Sequence, residues 1–446
     1  MEGYVSGIFE DTEVAVDAAR KAYDVLSTFT LKDRIELIRK LRKSLLPRVE
    51  EFASLEKEET CMGVYRDKVT QIRAAILGTP GANYVNVGAS SDEEGLVVDE
   101  YFPYGVACVI HPVNHPVASI INSTIMLLAA GNSVIHLGPG RAMDTCERVV
   151  SAIDSAIYEI CGIEHLACSM KTNRQEYNLQ LMQHPDVSLV VVTGGNEIAR
   201  KTFGLKKRVI IAGAANPVAI VDEGADLQKA AMDIAEAVSF DNNLLCTSEK
   251  SVVVHAGVLE EFLCQLVFEH ALLLGKEDIE KLENVVFNPE NEVNRIVVGQ
   301  SVPKLLDLAG IAYDHSMDYR LIAFLADCTS PFVINEVAAP ILPVVAAKDF
   351  EEALEMAVMI EQGLSHTASI HSKNIEHLST ASRRMRTAIF IKNGSTLYGA
   401  GLKGNGHVTF TIANVSGEGV VSPKTFVRSR KCILLASFDR SGHECL

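Results

Sequence analysis

Short apolar runs alternate with helical segments along most of this 446-residue chain, and this alternation constrains the fold more than any other feature. One helical segment begins at Pro116, because proline suits the first helical position, and ends at Gly131. Alternation of this kind predicts a doubly wound α/β sheet with helices on both faces. The predicted strands are YGVACVIHP, SVIHLG, VSLVVVTGG, RVIIAG and PVAIVD, followed by SVVVH, LIAFLA, ILPVVAAK, TASIHS and AIFIKN.

The length of the chain requires more than one hydrophobic core, since single cores stop growing at about 250–300 residues. We therefore predict three units, at residues 1–220, 221–405 and 406–446. The first unit opens with helices, and its segment DEEGLVVDEYFPYGVACVIHP predicts a hairpin at about 94–108. The last unit ends in the alternating run TFVRSRKCILLASF, which is typical of an edge strand that another subunit covers.

Composition argues against two classes of protein. The chain has 41 basic and 57 acidic residues and a net charge of −16, whereas a nucleic-acid binder needs a basic surface. It has no uncharged apolar run of about 18 residues, so we predict no membrane span. Its ten cysteines are scattered and form no CxxC pair, which predicts a reducing intracellular compartment and no metal site.

One cysteine lies in an unusual setting. Cys246 follows two amides, Asn242 and Asn243, and two leucines in SFDNNLLCTSEK, on the loop predicted before the strand SVVVH. The N–H groups of the loop and these two amides could hold an oxyanion once the sulfur has attacked a carbonyl carbon. On spacing alone, a buried and inert cysteine is the commoner outcome. Cys246 is therefore a candidate nucleophile with a purely structural alternative.

Three further segments supply groups that suit a dinucleotide and a carbonyl substrate. In VVTGGNEIAR a strand runs into Gly194 and Gly195 and then a helix, which points free N–H groups at an anion. Asn114, between two prolines in IHPVNHP, has an amide suited to a developing oxyanion. Glu336, in NEVAAPILPVV, could accept hydrogen bonds from a ribose. A tight glycine turn, an ordinary asparagine turn and a solvated glutamate are the simpler alternatives.

Taken together and in this order, these segments resemble the aldehyde dehydrogenase superfamily. The resemblance is to its CoA-acylating branch, found in ethanolamine and propanediol utilisation, and it runs along nearly the whole chain. The block around Cys246 and the tail containing GEG carry it most specifically. The matching segments are EETCMGVYRDKV, YGVACVIHPVNHP, MLLAAGNSVIH, VVTGGNEIARK, AGAANPVAIVDEGADLQKAA, SFDNNLLCTSEK, PILPVVAAKDFEEALEMA, GLSHTASIHS and FTIANVSGEGVVSPKTFVRSRKC.

The resemblance implies an α/β fold of aldehyde dehydrogenase type. It has a Rossmann-type nucleotide-binding domain at 1–220, an α/β catalytic domain at 221–405 and a small β oligomerisation arm that includes 406–446. Cys246 matches the nucleophile of the family and Asn114 the oxyanion donor, although PVNHP has the spacing of the hydrolytic members. The positions that match cofactor-binding residues are Pro112, Thr193, Gly194, Gly195, Gly213 and Glu336, and no metal ligand is implied.

One absence bears on the reaction. Hydrolytic members carry a general-base glutamate where this chain has Ile211, in IIAGAANP. Without that base, water is a poor acceptor of the acyl group and the thiol of CoA is the natural acceptor. The resemblance thus implies NAD-dependent oxidation of a short-chain aldehyde, acetaldehyde or propionaldehyde, to acyl-CoA and NADH. The alternatives are a hydrolytic aldehyde dehydrogenase that releases the free acid and a non-catalytic relative that binds nucleotide or shell proteins.

The implied partners are the small aldehyde, NAD, CoA and further copies of the chain in a dimer or tetramer. Shell proteins of a bacterial microcompartment are a further candidate, and no nucleic acid or membrane is expected as a partner. The implied location is the cytoplasm, either free or inside such a compartment.

Overall fold

Two parallel β-sheets, with helices packed on them, form the framework of the chain. A computed structural model describes residues 7–92, 94–171, 175–194 and 196–435. The strands are β1 (Ile8–Phe9), β2 (Gly88–Ser91), β3 (Gly95–Pro103), β4 (Val106–Ile110), β5 (Ser133–Leu137), β6 (Ala167–Met170), β7 (Val187–Thr193), β8 (Arg208–Ala212), β9 (Val218–Val221), β10 (Ser251–His255), β11 (Ala271–Leu273), β12 (Leu321–Leu325), β13 (Ile341–Ala347), β14 (Thr367–His371), β15 (Ile389–Lys392), β16 (Ile412–Ala413), β17 (Gly419–Val420) and β18 (Val427–Leu435). The α-helices are α1 (Thr12–Leu26), α2 (Leu31–Leu45), α3 (Val49–Thr60), α4 (Tyr65–Gly78), α5 (Pro116–Ala130), α6 (Met143–Cys161), α7 (Gln175–Gln183), α8 (Asn196–Thr202), α9 (Leu227–Ser239), α10 (Leu259–Phe268), α11 (Lys276–Val286), α12 (Val302–Ala309), α13 (Pro331–Ile334), α14 (Phe350–Glu361) and α15 (Ile375–Met385).

The first sheet has the strand order β1-β6-β5-β4-β7-β8, and all its neighbouring strands are parallel. From β4 the chain moves outward through β5 and β6, then returns to add β7 and β8 on the other side of β4. The order therefore reverses between β4 and β7, and in open α/β sheets ligands bind at the carboxyl ends of the strands at such a point. The loops that follow β4 and β7 carry the predicted residues Asn114 and Gly194.

The second sheet has the order β11-β12-β13-β10-β9-β14-β15 and is also parallel throughout. Its central strands β13, β10 and β9 are neighbours, so the segments that precede them meet at one edge. Those segments contain Glu336, Cys246 and Ala215. The amino edge of this sheet thus brings together groups that lie far apart in the sequence.

A third, antiparallel sheet has the order β18-β3-β2. The hairpin predicted at about 94–108 is wrong in its pairing, because β3 bonds to β2 and β18 whereas β4 belongs to the first sheet. The sequence predicts a tight turn near 104–105 and therefore pairing of the two adjacent strands. In the structure the chain passes at this point from the third sheet to the first. The edge strand predicted for the tail is observed as β18.

Helix α5 shows why these segments form the elements they do. It starts at Pro116, as predicted, and Gly131 caps it in the left-handed conformation with φ of 88°. Every residue of α5 is buried, so its apolar character all round serves the core of the first sheet. No helix in the described parts of the chain is long and apolar enough to cross a bilayer.

The predicted α/β class with parallel sheets is confirmed. The division at 220 and 405 stays a prediction; the second sheet begins with β9 at Val218, just before the first of these positions.

Candidate active site

The loop that carries Cys246 joins α9 to β10 through an unusual backbone. Three consecutive non-glycine residues have positive φ: 51° at Asp241, 54° at Asn242 and 60° at Asn243. Each left-handed residue of this type costs free energy and persists only where its surroundings hold it. The contacts of this loop should therefore show what holds the segment before the thiol.

The buried carboxylate of Asp241 is the main anchor. Its Oδ1 accepts the backbone N–H of Val64 at 2.7 Å, and its Oδ2 accepts Gln71 Nε2 at 2.7 Å and Lys68 Nζ at 3.3 Å. Lys68 also bonds Glu56 at 2.7 Å, so two carboxylates share one buried ammonium. Burial raises the pKa of Asp241, and the charge of Lys68 opposes that rise. Helix α4 and the residue before it thus hold the loop through Asp241, and α3 holds Lys68 in place through Glu56.

The two amides beside the thiol brace the loop. Asn242 Nδ2 donates to the carbonyl of Gly299 at 2.9 Å, and Asn243 Nδ2 donates to the carbonyl of Glu249 at 3.1 Å. The sequence predicts both amides as possible donors to an oxyanion. One hydrogen of each amide holds the loop to the backbone of a neighbouring segment.

Asn114 reaches the same loop from the first sheet. Its Nδ2 donates to the carbonyl oxygen of Leu244 at 2.7 Å, across 130 positions of sequence. One amide hydrogen remains beyond that bond, and the buried Oδ1 has no partner among the described residues. The structure therefore brings Asn114 and the Cys246 loop together, as the sequence predicts.

Cys246 is partly exposed, whereas its neighbours from 241 to 250 are buried. Burial raises the pKa of its thiol to about 12; the carboxylate of Glu336 adds to the rise and the ammonium of Lys250 opposes it. The thiol is thus protonated at neutral pH until positive charge or a base assists it. Solvent access and nearby charges distinguish Cys246 from an inert core cysteine.

Glu336 faces the same space from the segment before β13. Its Oε2 accepts the backbone N–H of Ala215 at 3.3 Å, which ties the segments before β13 and β9 together. Burial raises the pKa of Glu336, and Lys250 opposes this shift. The charge of Glu336 also raises the pKa of the Cys246 thiol, while its ribose contact stays a prediction.

The predicted dinucleotide turn is only partly described. Thr193 ends β7 with its hydroxyl 3.2 Å from that of Thr411, and the N–H of Gly194 donates to the carbonyl of Ala212 at 3.2 Å. That N–H is therefore not free for an anion, contrary to the expectation. Among the described residues, a Cβ at Gly194 would meet Ile198, at 3.8 Å. Gly195 lies outside the described residues.

Pro112 and Gly213 have different surroundings. Pro112 follows β4 at the point where the strand order reverses, next to the end of β7. Gly213 donates its N–H to Asn414 Oδ1 at 2.9 Å, and a Cβ there would lie 2.5 Å from Val415. Close packing against 414–415 accounts for glycine at 213 without a ligand, so its cofactor role stays a prediction.

Sequence reasoning missed two charged residues of the site. Lys250 and Glu249 are buried directly after the Cys246 turn. Glu249 accepts hydrogen bonds from Ser369 Oγ at 3.0 Å and Thr396 Oγ1 at 2.8 Å, and burial raises its pKa to about 7. The signal was present in the sequence, because two adjacent charges directly precede the strand SVVVH, whose three central residues are valines.

The group as a whole suits nucleophilic attack on a carbonyl. The described residues contain no cluster of three or more His, Cys, Asp or Glu side chains that could hold a metal ion. Among the described residues, three buried polar atoms on or in contact with this loop have no partner, which leaves them free for a polar ligand: Thr247 Oγ1, Ser248 Oγ and Asn114 Oδ1. A thiol, an amide and a carboxylate are thus brought to one loop, which makes it the candidate active site of a cysteine-dependent enzyme.

Comparison with known proteins gives the class. The model of the aldehyde dehydrogenase family matches residues 6–297 and 321–407. The chain belongs to the aldehyde dehydrogenase family.

Individual relatives indicate which branch of the family the chain is similar to. The chain is 40% identical over 433 residues to the propanal dehydrogenase (CoA-propanoylating) of Salmonella typhimurium, covering 97% of this chain and 93% of the relative. A propionaldehyde dehydrogenase structure from the fucose utilisation microcompartment of Clostridium phytofermentans has a TM-score of 0.95 and 35% identity, covering 98% and 100%. The Rhodopseudomonas palustris propionaldehyde dehydrogenase with bound propionyl-CoA has a TM-score of 0.94 and 33% identity, covering 97% and 96%. The resemblance to the CoA-acylating branch is confirmed.

Substitution of Gly63 tests how much the contacts of Asp241 contribute to stability and activity. Its φ is +74°, and a Cβ there would lie 2.0 Å from Asp241 Oδ1. We expect Gly63→Ala to lose about 1–3 kcal/mol of unfolding free energy beyond the backbone cost, because it displaces the carboxylate, and to lower kcat. Urea unfolding and initial rates measure both effects.

Gly162→Ala is the matched control, because its φ is +72° and a Cβ there meets no atom of the described residues within 4 Å. Gly162→Ala therefore has the free-energy cost of a left-handed alanine without a steric clash. Equal losses in the two variants would show that the contact with Asp241 contributes nothing.

Proposed function

We propose that this protein oxidises a short-chain aldehyde with NAD and transfers the acyl group to CoA, with Cys246 as the nucleophile. The observation that carries the residue assignment is the 2.7 Å bond from Asn114 Nδ2 to the carbonyl of Leu244. This bond ties Asn114 to the Cys246 loop and leaves one amide hydrogen for a substrate oxygen, and the backbone N–H of Cys246 would be the second donor. Two donors next to one thiol are what a carbonyl undergoing thiol attack requires.

The chemistry begins at the sulfur of Cys246. Its thiolate attacks the carbonyl carbon, and the N–H of Cys246 and the amide of Asn114 stabilise the resulting oxyanion. When bound, oxidised NAD supplies a hydride acceptor and a positively charged ring. The thioester left on Cys246 is then attacked by the thiol of CoA, which releases acyl-CoA and restores the cysteine.

Several described groups fit the cofactor. Glu336 would hold the nicotinamide ribose, and the turn after β7, with Pro112 across from it, would receive the rest of the dinucleotide. A thiol with a pKa of about 12 is ionised to roughly one part in 10⁵ at pH 7, so the site needs added positive charge. Lys250 supplies part of this charge, and ligand binding at Glu336 offsets the carboxylate that disfavours the thiolate.

The environment of Ile211 supports CoA as the acyl acceptor. Its side chain is buried in β8, and its backbone N–H is bonded to Ser416 Oγ at 2.8 Å. This position therefore offers no base to activate water. The named relatives are CoA-propanoylating or bind propionyl-CoA, which agrees with a thiol as acceptor.

Trapping the intermediate tests the proposal. With propionaldehyde and NAD but no CoA, we expect one propionyl group on the tryptic peptide 230–250, in which Cys246 is the only cysteine. Adding CoA should remove the label as propionyl-CoA, and mass spectrometry follows both species. Cys246→Ala should form no NADH, whereas Cys264→Ala, which removes an exposed thiol on α10, should remain active. Label on another residue, or free propionate as the product, would refute the proposal.

Asn114 is tested separately. Asn114→Ala should lower kcat by roughly a hundredfold or more, because one oxyanion donor is lost. Asn122→Ala is the control: this buried amide bonds Thr79 Oγ1 at 2.8 Å and the carbonyl of Val408 at 3.1 Å, so it should lose stability rather than kcat. Unchanged turnover in Asn114→Ala would remove Asn114 from the mechanism.

We also propose that the chain forms a dimer or tetramer through the third sheet. Strand β18 is paired with β3 on one edge, and Ile433 and Leu435 are 58% and 65% exposed on one face. Ile433→Lys combined with Leu435→Lys should therefore reduce the mass measured by light scattering. Ile375→Lys, at a residue 75% exposed on α15, should leave it unchanged. A monomeric native protein would contradict this proposal.

A microcompartment is the location we propose, with shell proteins as partners. The support is the similar structure from a fucose utilisation microcompartment. Co-purification with assembled shells would test it, and absence from purified shells would count against it.

A further inference from the structure

Lys250 is a buried cation whose three hydrogens all point into the Cys246 loop. The residue is 1% exposed. Its Nζ donates to the carbonyl of Asn243 at 2.8 Å, to Asn243 Oδ1 at 2.7 Å and to the carbonyl of Leu245 at 3.0 Å. The donor capacity of the ammonium is thereby fully used.

No carboxylate directly bonds this ammonium within the described residues. Glu249 is bonded to Ser369 and Thr396, and Glu336 accepts from Ala215. Burying a charge without a directly bonded counter-ion is expensive, and an apolar side chain of similar length could fill the space. A lysine at this position therefore has a role beyond packing.

The third acceptor is the informative one. The carbonyl of Leu245 and the N–H of Cys246 belong to one peptide group, and the described residues contain no cis peptide. In a trans peptide the C=O and N–H point in opposite directions, so a cation fixed at the oxygen directs the N–H away from itself. The N–H of Cys246 also lowers the pKa of its own thiol, which is the effect expected of a donor on that side of the peptide. A charged donor at the oxygen also polarises the peptide and makes its N–H a stronger donor.

We propose that Lys250 is a positioning residue that orients and strengthens the oxyanion-binding N–H of Cys246. It acts through the Leu245–Cys246 peptide and touches neither substrate nor cofactor. The inference rests on the proposed function, because it assumes that an oxyanion forms beside Cys246. It adds a residue to the reaction that the sequence motifs did not assign.

Two reactions of the same thiol separate this role from a general effect on the loop. Alkylation of Cys246 by iodoacetamide needs the thiolate but forms no oxyanion, whereas oxidation of the aldehyde needs both. If Lys250 acts on the N–H, Lys250→Met should lower kcat/KM for propionaldehyde at least about tenfold more than it lowers the alkylation rate constant. Loss of positive charge alone would slow both reactions by the same factor.

Lys68→Met is the matched control, since Lys68 is the other fully buried lysine tied to this loop. Its ammonium bonds Glu56 and Asp241 and not the peptide of Cys246, so its two rate constants should change by similar factors. Fragment ions localise the alkyl group to Cys246 in each variant. If Lys250→Met does not fold, Lys250→Gln, which keeps two neutral donors, carries the same comparison.

Equal losses in the two reactions of the folded Lys250 variant, or no loss in either, would overturn the inference. Activity that survives Cys246→Ala would instead overturn the proposed function. The two failures are therefore distinguishable.

Discussion

The buried carboxylate of Asp241 is the interaction on which the candidate site depends. It is held by a backbone N–H, an amide and an ammonium from the region of α3 and α4. These bonds stabilise three left-handed residues that otherwise have no glycine to relieve them. The position of Cys246, a few residues later in the chain, therefore depends on helices that are not part of the second sheet.

The site lies where two sheet edges face each other. The carboxyl edge of the first sheet supplies Asn114, and the amino edge of the second supplies Cys246 and Glu336. Burial raises the pKa of the thiol, Glu336 adds to this rise and Lys250 opposes it, so the thiol is protonated but responds to any further positive charge. In such an arrangement the thiol stays protonated and unreactive in the free protein, and a bound ligand can shift its protonation.

Local patterns predicted much of this fold. Strand–helix alternation predicted the parallel sheets, and Pro116 with Gly131 marked the limits of α5, because these signals depend on neighbouring residues. Pairing of β3 with β18 joins segments more than 300 positions apart, so no local pattern reports it. For the same reason the sequence marked Cys246 and Asn114 as candidates but did not show that Lys250 binds the peptide between Leu245 and Cys246.

The left-handed run at 241–243 also bears on the order in which the molecule is built. Gln71, one of the partners that stabilise it, lies 170 positions earlier, so this backbone gains its support only after distant parts of the chain have docked. A partly folded chain would carry the sulfur without the bonded turn around it. The bonded turn around Cys246 therefore forms only after α4 has docked against the segment before β10, so the candidate site is assembled by long-range folding rather than by local structure.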